Sequence, residues 1–269
     1  PQQTSPRLIG RTEFPYHRIE GRERSYAGSG WFGEQVTDEV YGGERADSIW
    51  GDDAASIGSR LGLTHDPDTC GTTIMVVGFH DPESDEQMGL TALTERFERA
   101  CVANFWPALT RPTRPLRVFI DVAGEELPVA LESNRDVTPL AACYEQRHRS
   151  AHDLINPGDV AIRHIPIDLP GRHDGTEGVT GYGTLLVRWA AGQDSATYQG
   201  EVAMLRGSGM IIQRRDMGRA LLGARPFHAV LLCGTARDFD KGAVHDEAVE
   251  TFLRLAEPPG HDDWDSTAK

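Results

Sequence analysis

The run Val160-Ala161-Ile162-Arg163-His164-Ile165-Pro166-Ile167-Asp168-Leu169 decides the fold class. Its β-branched residues mark it as a strand. Four more strand-like runs follow, at Gly183 to Ala190, Glu201 to Leu205, Met210 to Arg214 and Phe227 to Cys233, the last apolar enough to be buried on both faces. No helical pattern interrupts them. Strands that succeed one another without alternating helices argue for an α+β protein rather than a doubly wound one.

Working outward, Leu90, Leu93, Phe97, Cys101, Phe105 and Leu109 recur at three- and four-residue steps. That spacing predicts an amphipathic helix over Leu90–Leu109, its last turn kinked or closed by Pro107. Leu116–Val122 and Leu127–Leu131 read as a hairpin turning at Gly124-Glu125-Glu126. Thr138-Pro139 supplies a cap and a first-turn proline for a short helix over Leu140–His148. Downstream, Ala248, Phe252 and Leu255 stripe a closing helix over His245–Leu255, stopped by Pro258-Pro259. The first seventy residues predict short strands at Phe14–Ile19 and Ser25–Gly28 around Glu20-Gly21-Arg22-Glu23. A glycine-rich bend over Gly28–Gly33 and a capped helix from Asp52 to about Gly62 come next. Gly71-Thr72-Thr73-Ile74-Met75-Val76-Val77-Gly78-Phe79 is short and β-branched, and predicts a strand buried on both faces. A composition shift at the acidic loop Asp81–Glu86 marks a boundary.

Composition narrows the function. The 269 residues carry 27 Lys+Arg and 41 Asp+Glu, a net charge of −14. This argues against broad nucleic-acid binding by the segment, although Arg147-His148-Arg149 and Arg214-Arg215 are local basic clusters. No apolar run approaches the roughly 18–20 residues of a membrane helix, and the start has no signal-peptide core, so a soluble globular protein is expected; four cysteines far apart, three of them in apolar runs, point to the cytoplasm. Lys241 and Lys269 are its two lysines, which excludes a P-loop and leaves Schiff-base chemistry almost no candidates. Cys70, Cys101, Cys143 and Cys233 form no CxxC pair, against a structural zinc site. The chain opens Pro1-Gln2-Gln3 without a Met, and a piece of a longer protein is expected.

Each candidate for chemistry has a plainer reading. Ser29 and Ser208 lie between glycines but outside a strand–Gly-x-Ser-x-Gly–helix context, so turn chemistry is expected. His148 and His152 stand four apart, with Asp153 adjacent and His164 downstream. That pattern suits two metal ligands on a helix face or the His/Asp site of a small hydrolase, but the helix is expected to end near there. Exposed polar residues account for these, and for His261-Asp262-Asp263, at least as well. Glu125-Glu126 sits at an expected turn, where acids are ordinary. At Cys70-Gly71-Thr72-Thr73 the glycine permits close backbone approach and a threonine hydroxyl can bond a ligand's polar edge. The plainer account is a strand start.

Gly71-Thr72 and the β-branched run after it resemble the strand that ends the ATP-binding domain in the GHKL group, which comprises gyrase, heat-shock chaperone, histidine kinase, MutL and MORC-type ATPases. Three further stretches are similar to bacterial MORC-like members associated with defence operons. They are Tyr26-Ala27-Gly28-Ser29-Gly30-Trp31-Phe32-Gly33, Asn104-Phe105-Trp106-Pro107-Ala108-Leu109 and Ala256-Glu257-Pro258-Pro259-Gly260-His261-Asp262-Asp263-Trp264. The resemblance implies that residues 1–79 are the last strands of an ATP-binding sandwich and residues 80–269 a transducer-like α+β domain that relays nucleotide state to a partner. It implies that Thr72 helps hold adenine, with Gly71 and Thr73 beside it, and that the intact protein binds ATP and Mg2+ and dimerises. It also implies DNA-acting partners. The family's water-activating Glu, magnesium-binding Asn, Asp-x-Gly-x-Gly motif and lid glycines precede this strand, and none is present in the sequence. The chain is therefore expected to hold no catalytic residue and not to hydrolyse ATP alone. Lys241 and Lys269 are the candidates for a lysine that reaches the γ-phosphate. The competing readings are a non-catalytic interaction or scaffold module and the small hydrolase.

Overall fold

The computed structural model describes the chain apart from residues 1–4, 14–15, 19, 22, 24, 27, 38–41, 64–70, 78–87, 114, 150–152, 172–176, 218–224, 239–241, 259–263 and 265–269. It combines helices and strands in an α+β architecture, divided into the units Pro1–Glu83 and Ser84–Lys269. No helix among the described residues is long and apolar enough to cross a membrane.

The first unit consists of short strands: β1 (Arg7–Leu8), β2 (Gly10–Glu13), β3 (His17–Arg18), β4 (Ser25–Tyr26), β5 (Ser29–Phe32), β6 (Glu34–Thr37), β7 (Glu44–Asp47) and β8 (Ile49–Trp50). They pair antiparallel as nested arms, β3 with β4 inside β2 with β5, then β6 with β7, all enclosed by β1 with β8. The expected strand pair around Gly21 is there, though shorter. The expected bend over Gly28–Gly33 is instead mostly strand β5, because Gly30 to Phe32 lie in register with Thr12 to Gly10. Helix α1 (Gly51–Arg60) has no side-chain cap; Asp52 and Asp53 sit inside its first turn, where the helix dipole favours acids. Among the described residues, Ala54 is this unit's single buried apolar side chain.

The expected buried strand over Gly71–Phe79 is not observed. Gly71–Val77 is irregular and exposed throughout, with Ile74 82% and Val77 81% accessible; Gly78 and Phe79 lie outside the described residues. Propensity alone does not make a strand, because an extended chain without a ladder leaves its backbone bonded to water.

The second unit is α2 (Leu90–Leu109), β9 (Phe119–Val122), β10 (Glu125–Pro128), α3 (Thr138–Glu145), β11 (Val160–Leu169), β12 (Val179–Trp189), β13 (Glu201–Leu205), β14 (Ile211–Asp216), β15 (Phe227–Leu232) and α4 (Asp246–Leu255). Five strands form one sheet in the order β11-β12-β15-β13-β14, antiparallel except where β15 runs parallel to β13. The period-two alternation of strands divides the core. Leu186, Ala203, Leu205, Val230 and Leu232 pack with Val102 and Trp106 of α2 and Leu140 and Tyr144 of α3. Leu169, Leu231 and Cys233 instead pack with Val249 and Leu253 of α4. Trp106 and Tyr144 are fully buried and meet edge to face, ring centroids 5.5 Å apart.

Three local expectations need correction. Helix α2 has the expected length, but its buried side is Val102, Trp106 and Ala108, one residue round from the expected stripe, and Leu90 and Phe97 are exposed. Pro107 lies inside this helix and has no N–H for the carbonyl of Ala103; the Arg214 guanidinium donates to that carbonyl instead, so the helix runs on to Leu109. The β9–β10 turn falls at Ala123-Gly124, with φ of 54° and 91°, so Glu125 and Glu126 belong to β10, opposite Val122 and Asp121. Helix α3 begins at Thr138 without a side-chain cap, entered through a 3-10 turn at Arg135–Val137, and ends at Glu145 rather than His148.

The core assignment has a direct check. Trp106→Ala empties the largest fully buried site and should lower unfolding free energy by about 3–5 kcal/mol in urea titrations. Phe97→Ala, on the exposed side of the same helix, should change it by under about 1 kcal/mol.

Candidate functional site

The strongest concentration of buried charge surrounds the β13–β14 turn, Arg206-Gly207-Ser208-Gly209. The Gly209 N–H donates to the Arg206 carbonyl at 2.9 Å, so this is a turn, as the glycine–serine–glycine pattern predicts. The Arg206 side chain, 10% exposed, binds both oxygens of Glu257, with Nη2 to Oε2 at 2.6 Å. Its Nη1 donates to Glu250 Oε1 at 2.7 Å. Glu250, carried by α4, accepts the Gly207 N–H on its other oxygen at 2.9 Å and the Thr235 N–H at 3.3 Å. The Trp264 indole N–H donates to Glu257 Oε1 at 3.2 Å, and the Glu257 side chain is wholly buried. The hydrogen bonds from Arg206 to Glu257 and then Glu250 raise the guanidinium pKa further against the opposing effect of burial, so Arg206 is always charged. A Cβ at Gly207 would overlap Thr235 Oγ1 and the Glu250 carboxylate, so any larger residue there would have to push both side chains aside.

Beyond the turn is an open cleft of about 670 Å³. Its apolar wall is Phe105 and Ala108 from α2, Pro115 and Leu116 from the segment that follows, and Met210. Its polar wall is Arg111, Arg117, Arg206 and Ser208. Arg111 Nη2 donates to the carbonyls of both Gly207 and Ser208 at 2.8 Å, clamping the turn to the end of α2. Phe105 and Ala108 on the cleft side, and Glu257 and Trp264 through Arg206, thus bring two stretches distant in sequence to one turn.

Two other polar groups lie in the sheet. Arg188 and His228 face each other across β12 and β15, and the Arg188 guanidinium binds Asp194, which lies 3.9 Å from His228 Nε2. Burial opposes ionisation of Asp194, but the Arg188 and Ala191 hydrogen bonds outweigh it and hold the carboxyl below its usual range. His228 is fully buried, and burial depresses its pKa below the ordinary 6.5, with Asp194 opposing. Midway along β12, Arg237 donates to Thr184 Oγ1 at 3.0 Å and to Asp246 Oδ1 at 2.7 Å, and His164 Nδ1 lies 3.2 Å from the same Thr184 oxygen. Thr184 and Asp246 are buried, His164 is exposed, and none of these four residues lines the cleft.

The residues singled out in the sequence are dispersed. Gly71, Thr72 and Thr73 are exposed on irregular chain and do not line the cleft. His148 and Asp153 are exposed and lie beyond the end of α3, in keeping with a helix expected to end near there, and His164 faces Thr184; His152, the other member of the candidate pair, lies outside the described residues. Lys241, Lys269, Cys70 and His261-Asp262-Asp263 are also outside them. Cys143 and Cys233 are buried, which pushes both thiols up to about 12 and leaves them poor nucleophiles. No group of three or more His, Cys, Asp or Glu able to hold a metal occurs among the described residues. Arg111, Arg117 and Glu250 were not singled out, and Glu257 only as part of the stretch Ala256–Trp264: surface-like Arg and Glu carry no periodic signal, and their meeting depends on tertiary contacts. No protein-family model matches the chain, and neither a curated protein nor a solved structure is detectably similar to it.

Two measurements test the electrostatics. Glu257→Ala should cost about 3–5 kcal/mol of unfolding free energy, because it strips one carboxylate from a buried guanidinium. The double change Arg206→Met with Glu257→Leu should recover a large part of that loss. For His228, the unfolded chain takes up a proton near 6.5 while the folded protein resists it to lower pH. Its contribution is therefore fully present above pH 6.5 and is lost as pH falls below it, with a slope of at most about 1.4 kcal/mol per pH unit. His228→Leu should flatten the fall in melting temperature between about pH 6.5 and 5.

Proposed function

We propose that this chain carries the rim of a GHKL-type nucleotide site, at Gly71–Val77, and a transducer-like unit, Ser84–Lys269, that relays nucleotide state to a partner. One observation supports the reading above the rest. Gly71–Val77 is uncharged, largely apolar and exposed, in a unit with a single buried apolar side chain among its described residues. A run of that composition is stable in water only when both faces are covered. A nucleotide-binding sheet with its remaining strands outside this chain would supply that cover. Gly71, Thr72 and Thr73 are exposed, and no group of three or more His, Cys, Asp or Glu able to hold a metal occurs among the described residues, so on this reading the other contacts to ATP and Mg2+ come from outside them. The finer attributes implied by the resemblance, nucleotide-dependent dimerisation, DNA-acting partners and a role in phage defence, belong to this proposal.

The same exposed run also supports the second reading, an interaction module without chemistry, in which a partner protein covers Ile74–Val77. The two separate cleanly. On the nucleotide reading, the chain alone shows no saturable binding of a non-hydrolysable ATP analogue in calorimetry. The product of the longer reading frame binds it, protects the amides of residues 71–77 from hydrogen exchange, and loses about tenfold in affinity on Thr72→Val. An upstream reading frame without an acidic-Asn helix and an Asp-x-Gly-x-Gly motif would overturn the reading, and protection of residues 71–77 by a partner without nucleotide would establish the other.

A further inference from the structure

The cleft beside the β13–β14 turn is independent of the nucleotide reading and has a chemistry of its own. In a protein with 41 acidic and 27 basic residues, its wall holds three arginines and no carboxylate. Two of these have structural duties: Arg206 is matched by Glu250 and Glu257 behind the turn, and Arg111 holds the carbonyls of Gly207 and Ser208. Arg117 is different. It is exposed on the cleft wall and makes no hydrogen bond or ion pair with the described residues.

The rest of the wall is apolar and held in place. The Leu116 N–H donates to the Ala108 carbonyl at 2.9 Å, tying the Pro115–Arg117 segment to the end of α2. Leu116 is thereby kept 40% exposed opposite Phe105 and Met210 instead of folding into the core. A cleft of about 670 Å³ falls within the usual range of small-molecule sites, and an apolar wall with a few convergent polar groups is their usual lining. The Arg117 fork matches a carboxylate or a phosphate in two parallel hydrogen bonds.

We propose that this cleft binds a small organic anion, a carboxylate or phosphate carried on an apolar body. The anion pairs with Arg117, and the apolar body lies against Phe105, Leu116 and Met210.

The test uses the full chain labelled with 13C at the methionine methyls, with Met210 in the cleft wall as reporter and Met204 of β13 and Met75 of the exposed run as controls. The probes are 1-naphthyl phosphate, 1-naphthoate, inorganic phosphate and 1-naphthalenemethanol. Saturable movement of the Met210 signal with the aryl phosphate or the aryl carboxylate, at a Kd of about 1 mM or tighter, is the expected result. Comparing those two arms tells which anion the cleft prefers. Inorganic phosphate and the neutral alcohol should each bind at least tenfold more weakly. Arg117→Glu should weaken aryl-anion binding at least tenfold and Arg117→Gln less, both with an unchanged Met204 signal and melting temperature. Equal binding of the neutral alcohol, equal binding of inorganic phosphate, an Arg117→Glu titration like the parent's, or movement confined to Met75 would each overturn the proposal.

Discussion

Burying Arg206 is the constraint on which the second unit depends. A guanidinium held away from water needs carboxylates and well-made hydrogen bonds to offset its lost hydration. Here Glu250 comes from α4 and Glu257 from the segment after it, so meeting that need docks the C-terminal part of the chain onto the β13–β14 turn. Consequences spread from there. Gly207 is pressed so close to Glu250 and Thr235 that a side chain there would displace them, and Thr235 is drawn into the same carboxylate. The Arg111 clamp completes the turn from the opposite side, and the cleft is the space left between that clamp and the end of α2. One buried cation thus helps place α4 on one face of the sheet, while α2 approaches the same turn from its end.

The two units differ in how they stay folded. The second has a buried apolar cluster on each face of a five-stranded sheet. The first has ladders of two to four residues per strand, surface cation–π contacts such as Arg7 on Trp50 and Arg11 on Trp31, and almost no buried apolar surface among its described residues. Such short ladders are marginal without a covered face. The exposure of Ile74 to Val77 is the same deficit seen from the other side: apolar surface with no core to enter.

What was legible in the sequence follows from this difference. The β-branched runs of the five-stranded sheet, the length of α2 and the closing helix were readable because local periodicity and tertiary burial agree there. The face of α2 was misread by one residue because its register is set by Trp106 meeting Tyr144, a contact no periodic pattern encodes. Gly71–Val77 was misread for the converse reason. Its composition is that of a buried strand, but strand formation needs a neighbour, and the described chain offers none. The cleft was invisible because it is built from arginines at 111, 117 and 206, each unremarkable in its own neighbourhood. The Arg206 triad was equally hidden, since Arg and Glu separated by more than forty residues announce nothing until the chain folds.

This bears on how far the family resemblance reaches. Two of the stretches behind it, Asn104–Leu109 and Ala256–Trp264, have direct structural work in this fold. Trp106 fills the core, Pro107 frees a carbonyl that Arg214 takes, and Glu257 with Trp264 secures Arg206. Likeness at those positions is accounted for by the packing of the second unit and carries no information about a nucleotide. The nucleotide reading therefore rests on the other end of the chain, on Gly71–Val77, where no packing demand within the described residues explains a run of that composition. A segment that its own fold leaves unexplained is the place to look for function.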